Sequence, residues 1–191
     1  PVCGEKVMNM YNTYFRCYRL KGSPVCGNNV TNMRNTYWGC TSLTGSPVCG
    51  ENVVDMAMAY MYCLGLTGSP VCGENVTSMY SAYSDCCNLT GSPVCGNNVT
   101  HMYNTYSNCT NLTGNAYFYS SVISNSQNCF YGKNNSKQLN IYVPSGSTTL
   151  TTVLTSGTSS LVGAAITYTN AGTYHYNTAY NIYIYPVANV A

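Results

Sequence analysis

The stretch "NNVTNMRNTYWGCTSLTGSPVCG", residues 28 to 50, carries the pattern that decides the fold, because it recurs along the chain at a fixed interval. Pro1, Pro24, Pro47, Pro70 and Pro93 open five successive units. Laid over one another, the units all begin Pro-Val-Cys-Gly. They also keep Val30, Met33, Tyr37, Cys40, Leu43 and Gly45, with the counterpart of each at the same place in every unit. The constant positions are apolar residues or Gly, as expected of a core rather than of a reacting surface.

Val30, Met33, Tyr37 and Cys40 stand at steps of 3, 4 and 3, which predicts one face of a short helix. Thr31 precedes that turn as a candidate N-cap, and Thr77 and Thr100 repeat it. The run from Leu43 through Gly45 to Val48 reads as extended. Pro47 removes a backbone donor there, so a sheet through this run is narrow. A unit of this size cannot bury its apolar face alone. Stacking units at the strand spacing of about 4.8 Å does bury it, and five would span roughly 25 Å. The expected fold class is therefore an α/β solenoid over residues 1–115, built of short parallel strands and short helical turns. After residue 115 the pattern decays. Val122 keeps the spacing from Val99, "CFYG" at 129–132 resembles a worn turn, and "LNIYVP", "LVGAAITYT" and "YNIYIYPV" alternate as strands do. Residues 116–191 are read as a degenerate repeat and a β-rich C-terminal cap.

Of the 191 residues, 45% are hydrophobic, enough for a core, and only 6% are charged, against about 25% in an average soluble domain. The surface is thus polar and largely neutral. Net charge is +2, and Lys6, Arg16, Arg19, Lys21 and Arg34 gather toward the N-terminus, too few cations to track nucleic acid. No apolar run reaches the length of a membrane span. The chain opens on Pro1 inside a repeat and reads as part of something longer.

The order Leu43, Val48, Val53, Met56, Tyr60, Cys63, Leu66, and above all "NNVTNMRNTYWGCTSLTGS", resembles the BspA-like class of leucine-rich repeat. The units depart from that class in placing Ser-Pro where it often has an Ile-containing strand. The C-terminal strings "NCFYGKNNSKQLNIYVP" and "YNTAYNIYIYPVANVA" resemble the endings of such proteins encoded among virion structural genes of gut bacteriophages. The resemblance implies a non-enzymatic recognition and assembly protein on a virion surface, in a tail, fibre or other appendage. The alternative it implies is an extracellular bacterial adhesin of the same fold. The partners implied are other virion or surface structural proteins, and a host surface protein or carbohydrate.

Candidate chemistry is sparse. Ten of the 12 cysteines form two ladders, Cys3, Cys26, Cys49, Cys72, Cys95 and Cys17, Cys40, Cys63, Cys86, Cys109; Cys87 and Cys129 lie outside them. A reduced core ladder is the favoured reading, with disulfides along the stack as the alternative. A metal site is not expected, since no paired Cys or Cys/His motif exists. The carboxylates Glu5, Glu51, Asp55, Glu74 and Asp85 and the histidines His101 and His175 form no triad, acid/base pair or phosphate loop. No catalytic residue and no cofactor is therefore expected. Asn-X-Thr triplets such as Asn29-Val30-Thr31 arise from the repeat itself. The drifting positions are more informative. Phe15, Arg16, Tyr18, Arg19, Arg34, Trp38, Met61, Tyr62 and Leu64 concentrate aromatic, Met and Arg side chains in the first three units, the composition of a binding surface. The other reading is that they pack beneath a neighbour. Residues 138–191 carry no formal charge, and Tyr183 and Tyr185 in an unguarded apolar strand mark a candidate assembly surface, with a homo-oligomer or larger assembly expected.

Overall fold

A computed structural model describes residues 1–134, 136–144, 158–159, 164–168, 174–176 and 182–187. The period of the sequence is also a period of contact. Single parallel bridges join Asn9 to Asn32, Asn32 to Asp55, Asp55 to Ser78 and Ser78 to His101. Beside them the amides of Met33, Asn35, Tyr37 and Gly39 donate to the carbonyls of Asp55, Ala57, Ala59 and Met61 at 2.8–3.0 Å, so neighbouring units lie side by side. Val30, Met33, Tyr37, Cys40 and Leu43 are buried together with their counterparts in the next three units.

The expected helical turn does not form; no helix occurs among the described residues. Between the constant Met and the constant Cys of each unit two residues enter the left-handed region, Asn35 (φ 56°) and Gly39 (φ 76°) in the second unit, and neither position is compatible with a continuous helix. Amides between those given to the next unit bond three residues back, Thr36 to Met33 and Cys40 to Tyr37. The spacing of 3, 4 and 3 is therefore a succession of turns that buries the same four side chains a helix would have buried. Thr31 caps nothing. Its amide and its hydroxyl both donate to the Met8 carbonyl of the preceding unit, at 2.8 and 3.1 Å.

Proline narrows the sheet as its chemistry requires. Before Pro93 only isolated bridges occur, among them Gly45 to Leu66. The first strand, β1, is the two-residue Val94–Cys95. In the following segment Ala116 takes the place that Pro93 holds in its own unit, and the strand lengthens to the five residues of β2, Gly114–Phe118. β3, Leu139–Pro144, has six and ends on proline. Where proline denies the backbone a ladder, the constant Tyr replaces it. The Tyr37 hydroxyl donates to the Val25 carbonyl (2.8 Å) and accepts from the Val25 amide (3.0 Å), and Tyr60 with Val48 and Tyr83 with Val71 repeat the pair. The rings stack along the whole length, Tyr14, Tyr37, Tyr60, Tyr83, Tyr106 and Phe130, at centroid separations of 5.2–5.8 Å.

Phe130 ends the ring ladder one place later than the repeat period from Tyr106 would put it, because a residue has been inserted. Ile123, not Val122, takes the buried place of Val99; Val122 is 54% exposed. The second Cys ladder ends on the buried Lys133, whose ammonium donates to the carbonyls of Asn134 and Lys137. Burial, and next the charge of Lys137, lower its pKa to about 8.

Strands β4, Thr158–Ser159, β5, Ala164–Tyr168, β6, Tyr174–Tyr176, and β7, Ile182–Val187, complete a sheet of order β1-β2-β3-β7-β6-β5-β4. Its first four strands are parallel, and the meander from β7 to β4 is antiparallel. The apolar last strand is consequently not an edge. β7 is paired with β3 over six positions on one side and with β6 on the other. Tyr183 and Tyr185 therefore do not lie on an unguarded edge, contrary to the expectation from sequence.

Candidate functional site

The drifting aromatic positions of units 1 to 3 converge. Phe15 meets Trp38 edge-on at 5.0 Å between ring centroids, and the Arg16 guanidinium lies over both rings, at 5.2 and 5.9 Å. Arg16, Tyr18, Trp38, Gly39, Thr41 and Tyr62 line one shallow pocket of about 280 Å3. Its backbone is fixed from below. The amides of Arg16, Tyr18 and Gly39 donate to the carbonyls of Trp38, Arg16 and Met61, and the Thr41 hydroxyl donates to the Tyr18 carbonyl. Gly39 opens the floor. A side chain there would meet Arg16 and Tyr18 at 3.5–3.6 Å, and φ of 76° favours Gly over most residues.

Arg16, Gly39, Tyr62, Asp85 and Asn108 share one backbone position, and all are left-handed. Gly, Asn and Asp adopt that conformation readily; Arg and Tyr do so at a cost of about 1 kcal/mol or more. Both costly residues lie in the aromatic pocket. Nothing in the core requires them, since Tyr62 is 44% exposed and Arg16 is exposed as well.

The other sequence-derived candidates are distributed differently. Arg34 is separate: it pairs with Asp55 at 3.7 Å and lines a second groove with Met58, Ser78, Tyr80 and His101. Leu64 and Arg19 are exposed and Met61 is half-buried, and none of the three lines the pocket. Tyr185 stacks on Tyr142, and Tyr142 on Tyr117, giving a row of half-buried rings along the parallel strands; Tyr183 is half-buried on β7. A longer groove of about 670 Å3 across the first four units went unread in the sequence. It is lined by Asn29, Asn52 and Asn75, whose amides donate to carbonyls of the preceding unit, together with Lys6, Met8, Thr31 and Val54. The recurrence of Asn was visible, but it reports a bond within the stack.

Asp55, Ser78 and His101 are consecutive along the bridge ladder, yet they form no relay. Asp55 engages Arg34 and the Ala57 amide, while His101 Nδ1 meets the Thr100 hydroxyl at 2.8 Å. Among the described residues no cluster of His, Cys, Asp or Glu has the arrangement of a metal site. All twelve cysteines are free. From the second unit on, the thiols of the second ladder donate to a Tyr carbonyl of the preceding unit, Cys40 to Tyr14, Cys63 to Tyr37, Cys86 to Tyr60 and Cys109 to Tyr83, at 2.9–3.0 Å. Burial raises the pKa of Cys40 and Cys72 to about 11 and of Cys49 to about 12, and raises those of Cys86, Cys95 and Cys109 well above the ordinary thiol range. These thiols are poor nucleophiles. Alkylation of the folded chain is therefore expected to reach the exposed Cys17 first and to spare Cys63, Cys86, Cys95, Cys109 and Cys129. Unfolding without reductant is expected to release most of the 12 for labelling, as intact mass will show; labelling of only one or two would establish disulfides instead.

No helix among the described residues is long and apolar enough to cross a membrane. Comparison with protein-family models, with curated proteins and with solved structures gives no match.

Proposed function

We propose that the chain is a non-enzymatic recognition and structural element, a solenoid of the leucine-rich-repeat kind in which strings of turns stand in place of helices. It belongs on a virion surface, in a tail, fibre or other appendage, where it joins other structural proteins and binds a host-surface protein or carbohydrate. The observation that supports recognition most directly is the pairing of cost and position in the first three units. Arg16 and Tyr62 hold an unfavourable backbone conformation where the same slot elsewhere takes Gly, Asn or Asp, and both face a pocket walled by Tyr18 and Trp38. Strain kept at an exposed aromatic cluster is a mark of function. The row of Tyr117, Tyr142 and Tyr185 supplies a second surface, suited to assembly.

Binding of the labelled chain to candidate host cells, followed by flow cytometry, is expected to fall at least tenfold in Trp38→Ala and in Tyr62→Ala, with the far-ultraviolet spectrum unchanged. Wild-type binding by Trp38→Ala would overturn recognition through this pocket. Mass spectrometry of purified particles tests the location. Recovery of the chain from bacterial envelopes and not from particles would replace the virion with a cell-surface adhesin.

A further inference from the structure

The charge of the pocket specifies its ligand more closely, on the reading that the pocket is a recognition site. Arg16 is the only cation lining it. Its guanidinium is stacked on Phe15 and Trp38, and among the described residues it pairs with no carboxylate, the ion pair there being Arg34 with Asp55. Around it, the first unit holds Lys6, Arg16, Arg19 and Lys21 against Glu5 alone. A planar guanidinium with free N–H groups matches a carboxylate through two parallel bonds, and its aromatic backing removes water that would weaken them. A phosphate, with its double charge, would call for further cations in the pocket, and none lines it.

The walls decide the rest of the ligand. Tyr18 is 53% and Tyr62 44% exposed, and both line the pocket. Such rings pack against the C–H face of a pyranose while their hydroxyls bond its rim. An extended peptide would need backbone groups to pair with, but the amides of Arg16, Tyr18 and Gly39 are already committed within the stack. At about 280 Å3 the pocket is at the small end of ligand sites, and no aliphatic side chain lines it. We infer that the pocket of Arg16, Tyr18, Trp38 and Tyr62 binds a carboxylate-bearing sugar, a uronate or sialate unit of a surface polysaccharide.

Trp38 is the only tryptophan in the chain, so its fluorescence reports occupancy directly. The test is an array of acidic and neutral oligosaccharides, followed by Trp38 titrations with the strongest acidic binder and its carboxyl methyl ester. The ester is expected to bind at least tenfold more weakly than the acid. Arg16→Gln is expected to abolish that difference, and Lys21→Gln, outside the pocket, to keep it. Equal binding of acid and ester, or binding of neutral sugars only, would overturn the acidic specificity while leaving recognition by the pocket intact. Failure of every saccharide would overturn the inference itself. The recognition reading would then stand or fall on the loss of cell binding in Trp38→Ala.

Discussion

Raising the pH from 8 to 10.5 is expected to unfold the protein in one steep transition, although it carries few charges and one ion pair among its described residues. The cause is the thiol core. Cys63, Cys86, Cys95, Cys109 and Cys129 are fully buried, and burial is the first cause of the upward shift of each. In the unfolded chain a thiol loses its proton near a pH of about 8.5. Above that value the native state holds more protons than the unfolded one. The stabilisation is therefore fully present below about pH 8.5 and is lost as pH climbs toward the raised native values. Each such group costs about 1.4 kcal/mol per pH unit in this window, so five cost about 7 kcal/mol per unit, against a typical domain stability of roughly 5–15 kcal/mol. Lys133 acts with the opposite sign. Its pKa is lowered to about 8, so stability rises between there and its unfolded value, but one group offsets only a fraction of five. Urea midpoints at pH 8, 9 and 9.5 under reductant will test this, and Cys63→Ala combined with Cys86→Ala should flatten the slope. A midpoint constant from pH 8 to 9.5 would refute a reduced, buried thiol core.

The alignment of units against one another makes the buried set readable from the sequence. Val30, Met33, Tyr37, Cys40 and Leu43 are all buried, and the narrowing of the sheet at proline followed from one missing donor. The helix was misread because apolar periodicity reports which side chains face inward and not how the backbone carries them there. The left-handed residue that decides the matter is Asn in three units, Asn12, Asn35 and Asn104, but Met58 and Ser81 in the other two, so no constant residue announced it. The role of Tyr was hidden for a related reason. Constancy of an aromatic ring suggests packing, whereas its hydroxyl bonds a segment earlier in the same unit that cannot pair with a sheet. The pocket was half legible. Composition singled out Phe15, Arg16, Tyr18, Trp38 and Tyr62, but by the same criterion it included Arg34, which faces another groove. Beyond residue 115 a single insertion displaced the comparison of Val122 with Val99, because a fixed period cannot register it. The neutral segment 138–191 suggested an exposed edge, yet its last strand is interior, since strand order is a property of long-range pairing that composition does not encode.

The Tyr ladder supplies the other large effect, with its own control built into the chain. Tyr83→Ala is expected to cost about 4–5 kcal/mol, because it removes a fully buried ring from between Tyr60 at 5.4 Å and Tyr106 at 5.8 Å and leaves a cavity the stacked neighbours cannot close. Tyr83→Phe separates the hydroxyl from the ring. The ring stack survives, but the Val71 amide (3.2 Å) and carbonyl (2.7 Å) both lose their partner beside Pro70, where no sheet ladder can replace it. Leaving two such backbone groups unsatisfied costs about 2–3 kcal/mol. Tyr14 makes the same two bonds, to the amide and carbonyl of Val2, but Val2 is 83% exposed and water takes over when the hydroxyl goes. Tyr14→Phe is accordingly expected to lie within about 0.5 kcal/mol of wild type. Urea unfolding of the three variants measures the comparison. Equal costs for Tyr83→Phe and Tyr14→Phe would show that the hydroxyl contributes nothing beyond what water provides, and that the repeat keeps Tyr for its ring alone. A large difference would establish the hydroxyl as the group that holds each proline-interrupted segment against the stack.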